Sequence, residues 1–572
     1  MLAERDVSGT WQMLRASEVS ERIDARAMGL RAAGVAPGDR VAIMSPNRVD
    51  WILTNLAVLR AGGVSVPIYA TQAHDQVFHI LADSEAKLLF VDTPASREAL
   101  SADAARTLPA TFTFDGNGER SVSSLEDTGR LALASEPGVL DRIAATVQPN
   151  DMAVLLYTSG TTGSPKGVVL THDNIASNII GSAPLLDPIV KPGDPVLSIL
   201  PYAHIYENAN IYGYFKHRAL VYVNHRIETL LDDLRSVRPT IVYAVPRVFE
   251  RMLVAILSRA KSEGGARAKL IPWALRVGRG YMRRKLAGRP VGAGLRLQYA
   301  IAHRLVLTKF RALLGLDRLI FFASGSAPLH PDTTLTFAGF GVTILEGYGL
   351  TECSPVVTAS PPPTGGIVGS VGPPLSNVEL KLGDDGELLV RAPSVMKGYY
   401  RDAEATAAVL IDGWFHTGDI ATIDPSGYVR ITDRKRELFK TSGGKFIAPS
   451  RVESAILRSI YVNQAMVLGN GRPHPAALIS PNWPNVRAEM KLSADIPVTE
   501  LIPRADVQDF MQREVMKQTG GLGSFEQIRR VSLLPRDLSI EEGELSPTQK
   551  IKRRVVEQRY ADLIEALFTT AA

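Results

Sequence analysis

Residues 157–168, YTSGTTGSPKGV, follow the apolar run 153–156 and gather groups suited to holding an anion. Gly160, Gly163 and Gly167 let backbone N–H groups turn toward a phosphate. Thr158, Ser159, Thr161 and Thr162 add hydroxyl donors, and Lys166 adds positive charge. A Walker loop would need G-x-x-x-x-G-K-[ST]. Counted from Gly160, Pro165 replaces the second glycine and Gly167 the hydroxyl residue, so that reading fails. A structural turn needs far fewer hydroxyls and glycines than this segment holds. Binding of a nucleotide's phosphates is the chemistry it suggests.

The rest of the chain must position that loop. With 572 residues, 45% hydrophobic and 22% charged, several folded domains are expected, and disorder, collagen and a disulfide scaffold are excluded. Cys353 stands alone, which removes an all-cysteine metal site and suits a reducing, cytoplasmic address. The N-terminus has no apolar core of the kind a secretory signal needs, and no run of apolar residues is long enough to span a bilayer. Helical patterns at 18–33, 50–61 and 75–84 alternate with strand patterns at 40–44, 64–68 and 87–91. This predicts an α/β fold with a parallel sheet covered on both faces. Between about 369 and 431 the texture changes to short strands at 378–382, 386–391 and 428–432, a β-rich subdomain. After 434 it returns to mixed α and β, with a helix near 449–458 and a last helix after the basic residues 550–554. The expected organisation is a large N-terminal domain over 1–433, with α/β subdomains to about 355, and a small mobile C-terminal domain over 434–572.

Charge is unevenly distributed. The whole chain carries +5, yet between Gly264 and Leu316 there are twelve basic residues and no acidic one, so the remainder is net negative. Read as a helix, 271–286 places Arg276, Arg279 and Arg283 on one face. A basic amphipathic surface of this kind attracts anionic lipid headgroups; its plain alternative is a solvated face. No nucleic-acid reader motif accompanies the charge, so nucleic acid is not an expected partner.

The phosphate loop and four later motifs occur in one order: EGYGLTE at 346–352, GWFHTGDI at 413–420, DRKRELFKTSGGKFI at 433–447 and LSPTQKIKRR at 545–554. In these the chain resembles the adenylate-forming enzymes, which include acyl-CoA synthetases, luciferases and peptide-synthetase adenylation domains. The resemblance covers nearly the whole length. It implies activation of a carboxylate by ATP to an acyl-adenylate, because a carboxylate lacks a good leaving group and AMP provides one.

The same resemblance implies roles residue by residue. Glu352 and Thr158 would help hold Mg²⁺. Asp419 would accept the ribose hydroxyls, with Arg434 as a second ribose contact. Tyr348 would present its ring to adenine beside the Gly325-Ser326-Ala327 wall, and Gly349 and Thr351 complete the nucleotide site. Lys550 would bridge acyl and phosphate oxygens during adenylation. Arg436 would be the hinge about which the C-terminal domain turns to bring Gly443 and Gly444 toward a pantetheine channel. His204, in LPYAHIYEN at 200–208, would lie beside the acyl carboxylate. Asn208 stands where one relative carries a gating tryptophan, leaving Tyr206, Tyr212 or Tyr214 as substitutes.

VPRVFERM at 245–252 and the basic insert behind it are similar to the bacterial long-chain acyl-CoA synthetases. A long-chain fatty acid, ATP, Mg²⁺ and coenzyme A are therefore the implied substrates and cofactors, at a cytoplasmic address that includes the inner membrane surface. Two alternatives remain open: a fatty acyl-AMP ligase serving a carrier protein, and a non-catalytic lipid-binding or scaffold protein. Oligomeric state is left open.

Overall fold

The computed structural model describes residues 1–102, 107–158, 165–263, 265–362, 366–435, 437–546 and 549–569. Two large sheets form the N-terminal part. In the first, Val64–Ile68, Arg40–Met44, Leu88–Val91 and Ala110–Thr113 run parallel. Met152–Thr158 joins parallel beside Val64–Ile68, then Lys166–Thr171 turns back antiparallel. Every residue of Val64–Ile68 is buried, as expected of a parallel strand with helices on both faces. The eight-stranded second sheet has a parallel centre of Pro195–Ser198, Ile241–Ala244, Phe321–Ser324 and Ile344–Gly349. The chain's first strand, Leu2–Arg5, pairs parallel with Leu220–Val223, tying the N-terminus into this sheet.

A five-stranded antiparallel sheet built on Glu379–Leu382, Glu387–Arg391 and Trp414–Ile423 flanks the two. The C-terminal sheet, Val462–Leu468, Ala476–Pro481 and Arg530–Leu533, packs on helices Pro449–Ile456 and Ala505–Thr519 around its own core. The architecture is thus a large α/β N-terminal domain with mixed sheets and a small C-terminal domain.

Away from the junction near residue 434, polar ties among the described residues hold the small domain against the large one. Arg247 donates to the Asn463 carbonyl at 2.6 Å, and Arg458 lies 3.1 Å from Asp332. Asp332 also pairs with Arg279 at 3.4 Å and Arg283 at 2.6 Å. The helix expected at 271–286 runs over Gly265–Leu286; two of its three aligned arginines share the Asp332 carboxylate while Arg276 and Arg283 stay exposed.

Candidate functional site

A cavity of about 950 Å³ opens where the strand ends of both sheets, the β-rich sheet and the C-terminal domain meet. Its polar end holds Thr158, Lys166, Gly325, Ser326, Tyr348, Gly349, Thr351, Glu352, Asp419, Arg434 and Lys550. Residues more than 390 positions apart therefore share one space, with His204 on the same wall. Ala327 does not line it, nor do Gly443 and Gly444, which sit in the exposed turn between Phe439–Lys440 and Phe446–Ile447. Ser159, Gly160, Thr161, Thr162 and Gly163 of the phosphate loop, and Arg436, lie outside the described residues.

Each polar side chain is held from behind. Asp419, buried on the long strand Trp414–Ile423, accepts from the Tyr348 hydroxyl at 2.5 Å and faces the Arg434 guanidinium at 3.3 Å. Burial raises its pKa from the ordinary aspartate value, while Arg434 and the tyrosine hydrogen bond pull the other way. Glu352 accepts from the Tyr399 hydroxyl at 2.9 Å. Lys166 lies 3.2 Å from Asp402 and 5.4 Å from the Tyr399 ring, so the end of the phosphate loop is tethered to the segment that carries Tyr399. Tyr399 and Asp402 belong to none of the recognised motifs, and no local signal marks them.

Lys550 sits on a tight hairpin. Its N–H donates to the Ser546 hydroxyl at 3.0 Å, its carbonyl accepts from the Ser546 N–H at 2.8 Å, and Gln549 adopts a left-handed φ of 59°. The ammonium reaches the cavity, where surrounding protein and then the Arg434 charge lower its pKa from the usual lysine value. The hairpin is anchored by the buried Glu544, which accepts from Arg536, Arg559, Tyr560 and the Ser539 N–H.

His204 caps the helix Ile205–Lys216, its Nδ1 accepting from the Tyr206 N–H at 3.1 Å. Burial and the Lys550 charge push its pKa down to about 4. The ring is therefore neutral near pH 7, and with Nδ1 an acceptor the proton resides on Nε2. A Cβ added at Gly325 would come within 3.1 Å of the Tyr206 ring, so a larger residue there would press on the protein's own aromatic neighbour.

From this polar end the cavity continues along helix Ile205–Lys216. Tyr206, Ala209, Asn210, Gly213, Tyr214 and the following His217 form one wall, and Leu186, Val190, Ile241, Phe321 and Leu345 form the others. Of the substitutes for the gate, Tyr206 and Tyr214 reach the cavity. Tyr212 instead bonds to Asn55, and Asn208 is buried with its amide on the Tyr202 carbonyl.

Among the described residues no three His, Cys, Asp or Glu side chains converge in a way that would hold a metal ion alone. One carboxylate, Glu352, and one hydroxyl, Thr158, on the same cavity wall suit instead an ion bound jointly with phosphate oxygens.

Residues 4–400 match the AMP-binding enzyme family and residues 437–572 its C-terminal domain. A long-chain-fatty-acid–CoA ligase of Mycobacterium tuberculosis is 34% identical over 99% of this chain and 94% of its own length. The human long-chain-fatty-acid–CoA ligase 1 is 30% identical over 100% of this chain and 84% of its own. Among solved structures, ATP-bound MatB from Rhodopseudomonas palustris superposes with a TM-score of 0.70 at 25% identity, covering 98% of this chain and 96% of that one. The adenylation domain of a Mycobacterium chelonae carboxylate reductase has the same fold, with a TM-score of 0.75 at 23% identity over 100% of this chain and 88% of its own. From residue 4 to its C-terminal domain, this chain belongs to the AMP-binding enzyme family.

Proposed function

We propose that the protein joins a long-chain fatty acid to AMP, releasing pyrophosphate, and passes the acyl group to coenzyme A, releasing AMP. One observation carries the reading: a single cavity joins an anion-binding end to an apolar channel that follows a whole helix. Thirteen residues separate His204 from His217, about 20 Å at 1.5 Å per residue. An extended alkyl chain advances roughly 1.25 Å per carbon given C–C bonds near 1.5 Å, so the channel suits about sixteen carbons. The curated relatives carry long-chain ligase names, which supports the same substrate class.

In the first step a carboxylate oxygen attacks the α-phosphorus of ATP, and the bond from that phosphorus to the β-bridging oxygen breaks. The Nε2–H of neutral His204 donates to the other carboxylate oxygen, and Lys550 meets the negative charge shared by carboxylate and phosphate. Asp419 accepts from the ribose hydroxyls, Arg434 opposes the upward push of burial on Asp419 and adds a ribose contact, and Tyr348 lies against adenine. Gly325, Ser326, Gly349 and Thr351 wall the nucleotide, with Lys166 and the phosphate loop at the triphosphate. Thr158 and Glu352 would hold Mg²⁺, which when bound neutralises charge on the departing pyrophosphate.

In the second step the coenzyme A sulfur attacks the acyl carbon and the bond to the AMP oxygen breaks. Gly443 and Gly444 lie away from the cavity while Lys550 lies in it, which favours a first-step arrangement that must rotate, with Arg436 as the hinge. We also place the enzyme in the cytoplasm, against an anionic membrane surface that faces segment 264–316, where its substrate partitions.

The test is fatty-acid-dependent exchange of pyrophosphate into ATP, followed by AMP release on adding coenzyme A. Exchange without that release would assign the acceptor to a carrier protein. No exchange with any fatty acid would end the proposal.

A further inference from the structure

Residues 265–316 fold into helix Gly265–Leu286 and a second helical run of nearly equal length. The latter joins Ala293–Ala302, the π-helical turn His303–Leu307 and Thr308–Leu313. Stacking of Tyr281 on Tyr299, with ring centroids 3.9 Å apart, locks the two together. The inner face of the second run, including Leu295, Tyr299, Ala302, Val306, Leu307 and Phe310, belongs to the hydrophobic core.

Its outer face is apolar too. Leu297, Ile301, Leu305 and Leu313 are 64%, 43%, 49% and 51% exposed, at intervals of four with Lys309 filling the remaining place. In an unbroken α-helix a row at that spacing drifts around the axis by roughly 40° at each step. The π turn takes up an extra residue, about 100° of rotation, and so offsets most of the roughly 160° the row would accumulate by Leu313. Arg296, Arg304 and Lys309 are exposed along the row. Arg279 and Arg283 share Asp332, with Arg283 still exposed, and Arg311 donates to the Leu316 and Leu319 carbonyls.

A row of exposed aliphatic side chains calls for a partner. A second copy meeting it about a two-fold axis would set these cations against their own kind. An anionic bilayer complements both features, since aliphatic tips enter the headgroup boundary while the cations remain among lipid phosphates.

We propose that the Leu297–Ile301–Leu305–Leu313 row is the face by which the protein docks on an anionic lipid bilayer. This rests on the membrane-surface part of the proposed function and moves the contact from the arginines of Gly265–Leu286 to the neighbouring helical run.

Sedimentation of the purified full chain with phosphatidylcholine vesicles, with and without phosphatidylglycerol, tests it. Binding is expected only with phosphatidylglycerol and is reversed by salt. Ile301→Glu combined with Leu305→Glu should weaken it about tenfold or more, and Arg296→Gln or Arg304→Gln about fivefold each. Adenylation of a water-soluble medium-chain acid should be unchanged in all of these variants, which shows that they fold and separates docking from chemistry. Active enzyme that ignores the anionic vesicles would overturn the docking while leaving the ligase reading intact. Vesicle binding by a chain without ligase activity would do the reverse. Equal binding to neutral vesicles, or undiminished binding of the Ile301→Glu/Leu305→Glu variant, would overturn it. A dimer in solution that the same variant dissociates would assign the row to a second copy and overturn it as well.

Discussion

Gly213 lies on the channel wall, and a Cβ added there would have nothing within 4 Å. Gly213→Phe should therefore place a ring in the acyl channel without disturbing the helix. Nine residues beyond His204, it sits about 14 Å along the channel, at the depth of roughly the eleventh carbon. Allowing for the reach of the ring, acids of about ten carbons should keep kcat/KM within a few-fold, while a sixteen-carbon acid loses the burial of some six methylenes. At about 0.8 kcal/mol each this is near 5 kcal/mol, or roughly three thousandfold. Replacing a helical glycine should meanwhile raise stability by ~0.5 kcal/mol, so Tm stays level or climbs as long-chain activity collapses. The assay is pyrophosphate exchange across a series of saturated acids, with thermal unfolding alongside. Equal loss at every chain length, or none, would refute the placement of the acyl chain along this helix.

Lys550→Ala should suppress adenylate formation strongly, yet leave thioester formation from supplied acyl-AMP near normal; single-turnover assays of the two halves decide, and equal loss in both removes the role. Asp332→Ala frees Arg458 from the large domain and should lower the adenylation rate about fivefold, the scale of a partly exposed ion pair near 1 kcal/mol, while sparing the thioester half. The Glu207 carboxyl, buried with Ser198 and Tyr214 on one oxygen, has its pKa pushed by burial up to about 7. The folded chain then holds a proton that the unfolded chain releases near pH 4.5, so stability should fall as pH rises from about 4.5 to 7 and level off above. Glu207→Gln should flatten that slope in Tm measured against pH. Glu544, held down to about 2 by its arginine, tyrosine and backbone donors despite burial, works in the opposite sense: its stabilisation is complete above pH 4.5 and is lost as pH falls toward 2.

Strands such as Arg40–Met44 and Val64–Ile68 were legible to the residue because a short apolar run between turns carries its own boundaries. Pairing was not legible. Nothing local in Leu2–Arg5 says that it lies beside Leu220–Val223. The motifs brought Asp419, Arg434, Glu352 and Lys550 to one cavity, but Tyr399 behind Glu352 stands 47 positions away with no signature. Helix Ile205–Lys216 is mostly buried, with one stripe on the channel and others in the core, so apolar periodicity could not distinguish a substrate wall from packing. The ion pairs of 271–286 were hidden for a related reason: the pattern of one helix shows which residues share a face and says nothing of Asp332 on another.

Among the described residues no internal wall separates the nucleotide end of the cavity from the channel beyond it. An acyl-adenylate would consequently be gripped at both extremities, by its tail and by its nucleoside, with the reactive anhydride suspended between. Neither grip needs to be tight alone, since letting go requires both to fail together, whereas pyrophosphate, touching only one end, can depart. A doubly tethered intermediate would thus outlast a rotation of the smaller domain, and after cleavage each fragment would retain a single hold and be free to go.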